Sequence, residues 1–222
     1  MGYILRTFKS RERKVMSTLL KCLLVSKMEY ACVVWAPADK KQIKLLEDVQ
    51  RKFTSRYSCF NTYDEDLGKP ICKVDYWERL KELHIFSLER RRERYMIIYV
   101  YKIIIGLCPN PGFERIPYNN RTMFTVTPKQ NRKAEKWVQN LRNTSFFNIA
   151  PSLFNCLPTY LRDIEIPETP TKEHVEKYKK ELDKYLWHIP DQPGSVKDKT
   201  RLAESNSILH QKDYYTNRTE ES

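Results

Sequence analysis

The sequence predicts a mainly α-helical chain: a small helical bundle, a basic loop or hairpin segment, two further helices and a disordered tail. Two observations carry this prediction. Apolar residues recur at spacings of three and four along residues 10–27, 39–57 and 171–187, which is typical of helices that bury one face. Short stretches of turn-forming residues separate these segments, as they do in helical bundles.

The centre of the predicted bundle is residues 87–107, SLERRRERYMIIYVYKIIIGL. Its second half is almost wholly apolar, which indicates a helix buried on every side. Ser87 suits the N-cap, and Gly106 suits the C-cap with Pro109 soon after. A β-strand is the alternative, because this half is rich in β-branched residues. Continuity with the charged first half favours the helix.

The charged half of this helix holds Arg90, Arg91 and Arg92 near its start. A helix N-terminus carries partial positive charge and prefers acidic residues, so these arginines conflict with local preference. One interpretation is a solvated face on which Glu89 and Glu93 pair with the arginines. The other is a site kept for another purpose.

The remaining helices of the bundle are predicted from N-cap residues and from apolar residues at helical spacing. Ser10 is the predicted N-cap of a helix that ends near Lys27, and residues 28–37 form an apolar connector. Asp39 is the predicted N-cap of a helix that ends near Tyr57. Residues 58–74 are predicted to be a loop. Asp75 and the glutamate three residues later resemble a capping box that opens a helix over residues 76–83.

The helix over residues 39–57 has a basic outer face. Its cations are Lys40, Lys41, Lys44, Arg51, Lys52 and Arg56. Lys40, Lys44 and Arg51 fall on one side, a spacing that could follow a phosphate backbone. An ordinary solvated face is the alternative.

The chain changes character after residue 107. Residues 108–144 are basic and turn-rich, and residues 121–129 alternate as in one hairpin or an extended arm. Residues 145–157 predict a short apolar helix closed by Pro158. Residues 171–187 predict an amphipathic helix whose apolar stripe is Val175, Tyr178, Leu182, Tyr185 and Leu186. Residues 191–222 are polar and aperiodic, which predicts disorder. The predicted segments are therefore 1–107, 108–144, 145–190 and 191–222.

The charge of the chain is concentrated in its first two segments. The net charge is +12. Residues 1–107 carry 22 Lys and Arg against 13 Asp and Glu, a balance of +9, and residues 108–144 carry 7 against 2, a balance of +5. Such a surface attracts polyanions, nucleic acid first. Six scattered cysteines without metal-ligand spacing, and no signal-peptide pattern, predict a nuclear or cytoplasmic protein that is not secreted.

Motifs of catalysis are absent from the sequence. It has neither of the common glycine-rich phosphate-binding motifs, and its four histidines are scattered. No pair of carboxylates follows an apolar strand in the manner of two-metal polymerases. We therefore expect no enzyme activity, cofactor, metal or small-molecule ligand, and no membrane partner.

Several stretches in order resemble the reverse transcriptases of non-LTR retrotransposons of the jockey and chicken-repeat kind. They are GYILRTFKSR (2–11), MEYACVVWAP (28–37), IKLLEDVQRKFT (43–54), YWERLKELHIFSLERRRER (76–94), PSLFNCLPTYLR (151–162) and YKKELDKYL (178–186), followed by IPDQP (189–193). The ordered set covers most of residues 2–193.

In that family, this region is the thumb and the segment after it. The resemblance implies a C-terminal fragment whose palm and fingers, an RNA-directed DNA polymerase, lie upstream and are its natural partners. A thumb grips template–primer duplex, whether RNA, DNA or a hybrid, through the phosphate backbone without reading sequence. The implied contacts are the six cations of residues 40–56 together with Arg90, Arg91, Arg92 and Arg94. A helical protein-interaction module and a relic without function are the alternatives.

Overall fold

The computed structural model of the chain is mainly helical, which confirms the predicted fold class. It describes residues 2–35, 37, 39–65, 68–110, 112–118, 121–126, 138, 145–193 and 206–211, with residues 114–118 and 121–126 as backbone. Two compact units divide the chain, Met1–Glu89 and Arg90–Ser222. The boundaries predicted from composition, at residues 107, 144 and 190, stay predictions.

The first unit begins with short helical elements, three of which follow one another without a break from Arg13 to Glu29, so the helix predicted to end near Lys27 is helical from Arg13. Its elements within residues 2–35 are α1 (Gly2–Thr7), α2 (Arg13–Leu19), a π-helical stretch (Leu20–Val25), α3 (Ser26–Glu29) and α4 (Cys32–Trp35). The N-cap of α2 is Glu12, not Ser10, because the backbone is extended at Glu12 and becomes helical only at Arg13.

The rest of the first unit agrees with its predicted caps. It contains α5 (Lys40–Thr54), a 3-10 turn (Ser58–Phe60), β1 (Asn61–Asp64), β2 (Lys69–Cys72) and α6 (Tyr76–Leu83). The Asp39 carboxylate accepts a hydrogen bond from the Lys41 N–H at 3.3 Å, and Asp75 accepts one from the Trp77 N–H at 3.0 Å. Both predicted N-caps are confirmed.

The predicted loop over residues 58–74 is wrong, because an antiparallel hairpin forms there. Asn61 pairs with Cys72, and Asp64 pairs with Lys69. The hairpin is short, and Pro70 lacks the backbone N–H that a strand normally donates. Its two strands also lack the alternation of apolar and polar residues that would predict them. The core of the unit lies elsewhere, in buried residues of α2, the π-helical stretch, the end of α5 and the 3-10 turn with the residue before it: Met16, Leu19, Leu20, Leu24, Val25, Phe53, Tyr57 and Phe60.

The central stretch forms α7 (Leu88–Ile104), so the helical interpretation is confirmed over the strand. Its apolar half is buried apart from Tyr99, Lys102 and partly covered positions at either end. Gly106 ends it with a positive φ of 81°. The Leu107 N–H donates to the Lys102 carbonyl at 2.9 Å and the Gly106 N–H to the Ile103 carbonyl at 3.1 Å, the two bonds of a Schellman cap.

The second unit continues with a hairpin and three helices. They are β3 (Phe113–Tyr118), β4 (Arg121–Val126), α8 (Phe146–Asn155), α9 (Thr159–Arg162) and α10 (Lys172–His188). The hairpin confirms one of the two alternatives for residues 121–129 as far as residue 126. The turn of helix after Pro158 was not predicted. Other residues of the basic connector, including Trp137, lie outside the described residues.

The predicted stripe of α10 is confirmed at every position: Val175, Tyr178, Leu182, Tyr185 and Leu186 are buried. Tyr178 stacks on Tyr101 of α7, with ring centroids 3.9 Å apart and planes 5° apart. Phe146 of α8 meets Tyr99 edge to face at 5.4 Å. These aromatic contacts join α7 to α8 and to α10.

The predicted disordered tail does not hold for residues 206–211. Their backbone closes one helical turn, with the Gln211 N–H donating to the Ser207 carbonyl at 3.1 Å. Asn206, Ile208 and Gln211 are buried. The partners that bury this stretch are distant in sequence, so local composition carries no sign of it. Residues 194–205 and 212–222 lie outside the described residues.

No helix in the described part of the chain is both long enough and apolar enough to span a bilayer.

Candidate nucleic-acid interface

The structure separates the ten predicted contacts into two groups with opposite environments. Five cations on and just after α5 are exposed: Lys40, Lys41, Lys44, Lys52 and Arg56. The five others are buried or half-buried: Arg51, Arg90, Arg91, Arg92 and Arg94. A side chain must reach solvent to meet a phosphate, so the exposed group is the better candidate for a contact surface.

The exposed lysines share one side of α5. At about 100° per residue, Lys41, Lys44 and Lys52 span about 80° of the helix circumference, and the first and last are about 16 Å apart along the axis. Lys40 lies at the edge of this sector. We call Lys40, Lys41, Lys44, Lys52 and Arg56 the lysine face. Its chemistry is that of flexible point charges, which suit phosphates of any sequence.

The opposite side of α5 explains why these lysines point outward. Phe53 and Thr54 are fully buried, and Glu47 and Gln50 are nearly so. The Gln50 amide donates to the Tyr76 hydroxyl and to the Phe86 carbonyl, each at 3.2 Å. The buried side is therefore partly polar, and its hydrogen bonds fix the rotation of the helix.

Arg51 is half-buried, with 43% of its side chain exposed, and it also makes contacts within the first unit. Its Nε lies 3.7 Å from the Asp48 carboxylate, and its guanidinium lies 4.8 Å from the centre of the Tyr76 ring. The Arg51 carbonyl also accepts from the buried Arg79 guanidinium at 3.3 Å. These contacts tie Arg51 to the packing between α5 and α6. Asp48 lies on the exposed side of α5, where its carboxylate competes with phosphate for the lysines. Its ion pair with Arg51 reduces that competition.

Two arginines of α7, Arg90 and Arg92, are buried in the second unit. Arg90 is 0% exposed and Arg92 is 4% exposed. The Arg90 guanidinium donates to the Pro190 carbonyl at 2.9 Å and to the Ile189 carbonyl at 3.5 Å. Neither Arg90 nor Arg92 can reach a phosphate in this fold. The prediction that they contact nucleic acid is therefore not supported, and burial is the physical reason.

Arg94 is held by an acidic residue of α10. Its Nε lies 2.5 Å from one carboxylate oxygen of Asp183 and its Nη2 lies 2.8 Å from the other, which makes a bidentate ion pair. Arg91, the fifth of the group, is half-buried. The Asp183 carboxylate therefore occupies the Arg94 guanidinium that the family resemblance assigned to phosphate.

Glu93 is the buried carboxylate among these arginines. It accepts hydrogen bonds from the Ser207 hydroxyl and from the Ile208 N–H, the latter at 2.8 Å. Burial raises the pKa of Glu93 above its ordinary value, while these two donors and the Arg90 charge oppose the rise. A solvated face is one of the two interpretations that the sequence offers for Glu93, since charged residues are rarely buried unless paired, and the structure buries this residue instead.

Sequence reasoning also missed the polar residues that orient α5 and α6. Glu47, Gln50 and Arg79 are buried, yet nothing in their spacing marks them as interior. Their only local signal is position, since Glu47 and Gln50 share the helical face that carries Ile43.

Comparison with known proteins adds nothing to these residues: no protein-family model, no curated protein and no solved structure matches the chain.

Proposed function

We propose that this chain binds nucleic acid duplex through the phosphate backbone, and that the lysine face of α5 is the contact surface. The observation that carries the proposal is the concentration of exposed cations in residues 40–56 of a chain whose net charge is +12. Each phosphate that a lysine neutralises releases condensed counterions, so such binding is salt-dependent and independent of sequence.

The family resemblance supplies the context of this binding. We propose that the chain is a thumb-like, non-catalytic part of a non-LTR retrotransposon reverse transcriptase, with RNA–DNA hybrid, RNA or DNA as its ligand. The matching stretches IKLLEDVQRKFT and YWERLKELHIFSLERRRER form α5, α6 and the start of α7. The isolated chain should not extend a primer, because the sequence lacks the paired carboxylates of a polymerase.

The test compares two triple variants in binding to an RNA–DNA hybrid across a salt series. One changes Lys41, Lys44 and Lys52 to Ala. The matched control changes Lys172, Lys177 and Lys180, three exposed lysines of α10, so the net charge falls equally. The slope of log K against log salt should fall by about 2–3 in the first variant, at roughly 0.7–0.9 per lost contact, and by less than about 1 in the control.

Equal slopes for the two variants would contradict the proposed surface. Absence of binding at low salt by folded wild-type chain would contradict nucleic-acid binding itself. Substituting Arg90, Arg91 and Arg92 would be a poor test, because Arg90 and Arg92 are buried and their loss would disturb the fold.

A protein-interaction module is the second candidate, and exposed apolar side chains in the first unit favour it. Tyr30 is 80% exposed, Val34 is 87% exposed and Leu45 is 67% exposed. Exposed apolar patches recruit partners when they are contiguous. Self-association that nuclease treatment leaves unchanged, and that Val34→Asp weakens, would support this candidate over nucleic-acid binding.

A further inference from the structure

Residues 206–211 occupy a site built by residues far from them in sequence. Ile208 and Gln211 are fully buried, and Asn206 is nearly so. Twelve residues, 194–205, separate this segment from Pro193. We call residues 206–211 the docked segment.

Glu93 of α7 binds the start of the docked segment through both carboxylate oxygens. One oxygen accepts from the Ser207 hydroxyl, and the other accepts from the Ile208 N–H at 2.8 Å. The Ser207 carbonyl then accepts from the N–H groups of His210 and Gln211 at 3.0 and 3.1 Å. Glu93 therefore recognises a hydroxyl residue that begins a helical turn, together with the backbone of the residue after it.

Arg90, one helical turn before Glu93, binds two backbone carbonyls, one in the docked segment and one in residues 189–192. Its guanidinium donates to the Asn206 carbonyl at 3.4 Å and to the Pro190 carbonyl at 2.9 Å. Residues 191 and 192 complete the site: the Asn206 amide donates to the Asp191 carboxylate, and the Gln211 amide donates to the Gln192 carbonyl at 3.3 Å.

The chemistry of these groups is that of a recognition site. Burying Arg90 and Glu93 side by side is costly unless their hydrogen-bonding capacity is filled. The docked segment fills much of it with two carbonyl or hydroxyl groups and one N–H. It also supplies Ile208, an aliphatic side chain that is 0% exposed. Polar groups give direction, and the buried aliphatic group supplies apolar area.

The docked segment is covalently linked to the rest of the chain, so it does not need high intrinsic affinity to occupy its site. A segment tethered through about a dozen residues has an effective concentration in the millimolar range, so weak recognition suffices to keep the site filled. A weakly held segment exchanges with competing segments of the same chemistry.

We propose that α7 and residues 189–192 form a peptide-recognition site, and that the docked segment is its reversible ligand within the chain. The peptide class is a short segment in which a serine begins a helical turn and a buried isoleucine follows it. This inference does not depend on nucleic-acid binding.

The test uses a fluorescein-labelled peptide of residues 204–213, ESNSILHQKD, and the full chain. In the variant Ile208→Asp, a buried carboxylate should expel the docked segment and leave the site open. Fluorescence anisotropy should show the variant binding the peptide at least about ten-fold more tightly than wild type, whose site is already filled. A peptide carrying the same Ile→Asp change should not bind the variant.

A second form of the chain keeps the test decisive if Ile208→Asp does not fold. A protease recognition sequence inserted between Pro193 and Asn206 allows the docked segment to be cut from folded chain of native sequence in the site. After cleavage and size-exclusion chromatography, the site should take up labelled peptide, and Glu93→Ala should abolish the uptake. Equal peptide binding by wild type and Ile208→Asp, or no uptake by the cleaved chain, would overturn the proposal.

Discussion

The carboxylate of Glu47 accepts the backbone N–H of Leu88, with its two oxygens 3.1 and 3.2 Å from the nitrogen. Leu88 is the first residue of α7, where N–H groups have no partner within the helix. The same carboxylate accepts from the Tyr76 hydroxyl. Glu47 thus places a negative charge at the N-terminus of α7, the end of a helix that prefers acidic groups.

Replacing Glu47 by Ala should destabilise the chain by about 1–3 kcal/mol, because the Leu88 N–H and the Tyr76 hydroxyl would lose a buried acceptor. Urea denaturation followed by circular dichroism measures this free energy of unfolding. Glu65→Ala is the control, since Glu65 is exposed in the turn region between β1 and β2. A loss for Glu47→Ala no larger than for the control would show that the cap contributes nothing measurable.

Replacing Arg90 by Ala should lower the free energy of unfolding by about 3 kcal/mol, as expected when a buried charged group leaves its partners without a donor. Because Arg90 is fully buried, the salt slope of nucleic-acid binding should not change below the unfolding transition. Lys180→Ala, on the exposed side of α10, is the control for stability. A reduced salt slope with unchanged stability would instead place Arg90 at the nucleic acid.

The contrast between α10 and α7 shows what the sequence could predict. The buried stripe of α10 was predicted residue by residue, because an apolar face at helical spacing is a local pattern. Neither interpretation of the charged half of α7 predicts the burial of Arg90 and Glu93, because their environment depends on Asp191 and Ser207, about a hundred residues away. The candidate site divides in the same way: the exposed lysines of α5 agree with a local pattern, whereas the contact of Arg51 with the Tyr76 ring joins residues 25 positions apart and has no local signal.

The stacked pair Tyr101 and Tyr178 predicts opposite effects for two similar substitutions. The Tyr101 hydroxyl donates to the His174 carbonyl at 3.4 Å. The Tyr178 hydroxyl is buried, and within the described part of the chain it has no hydrogen-bond partner. Tyr101→Phe should therefore cost up to about 1 kcal/mol, whereas Tyr178→Phe should be neutral or stabilising by up to about 1 kcal/mol. Thermal unfolding of both variants measures the difference, and the reverse order would contradict the assigned hydrogen bonds.

Glu93→Gln should change how stability depends on pH. Burial raises the pKa of Glu93 above 4.5, against the opposing effects of Ile208, Ser207 and Arg90. The folded chain therefore holds the proton at pH values where the unfolded chain has lost it. The stability that this proton supplies is complete below the unfolded pKa and is lost as the pH rises toward the folded pKa.

Glutamine resembles the protonated acid and keeps its hydrogen bonds, since its amide can donate to the Ser207 hydroxyl while its oxygen accepts from Ile208. The free energy of unfolding of Glu93→Gln, relative to wild type, should therefore rise between pH 4.5 and neutral pH, by at most about 1.4 kcal/mol per pH unit. Urea denaturation at a series of pH values measures this difference.

Glu176→Gln is the control of opposite sign. The hydrogen bond and charge of Lys179 lower the pKa of the exposed Glu176, so its stabilising effect is present above the unfolded pKa and is lost as the pH falls. Relative to wild type, this variant should lose a little stability as the pH rises. A Glu93→Gln difference that is flat, or that has the sign of the control, would mean that Glu93 is ionised in the folded chain, with its donors and Arg90 outweighing the effect of burial.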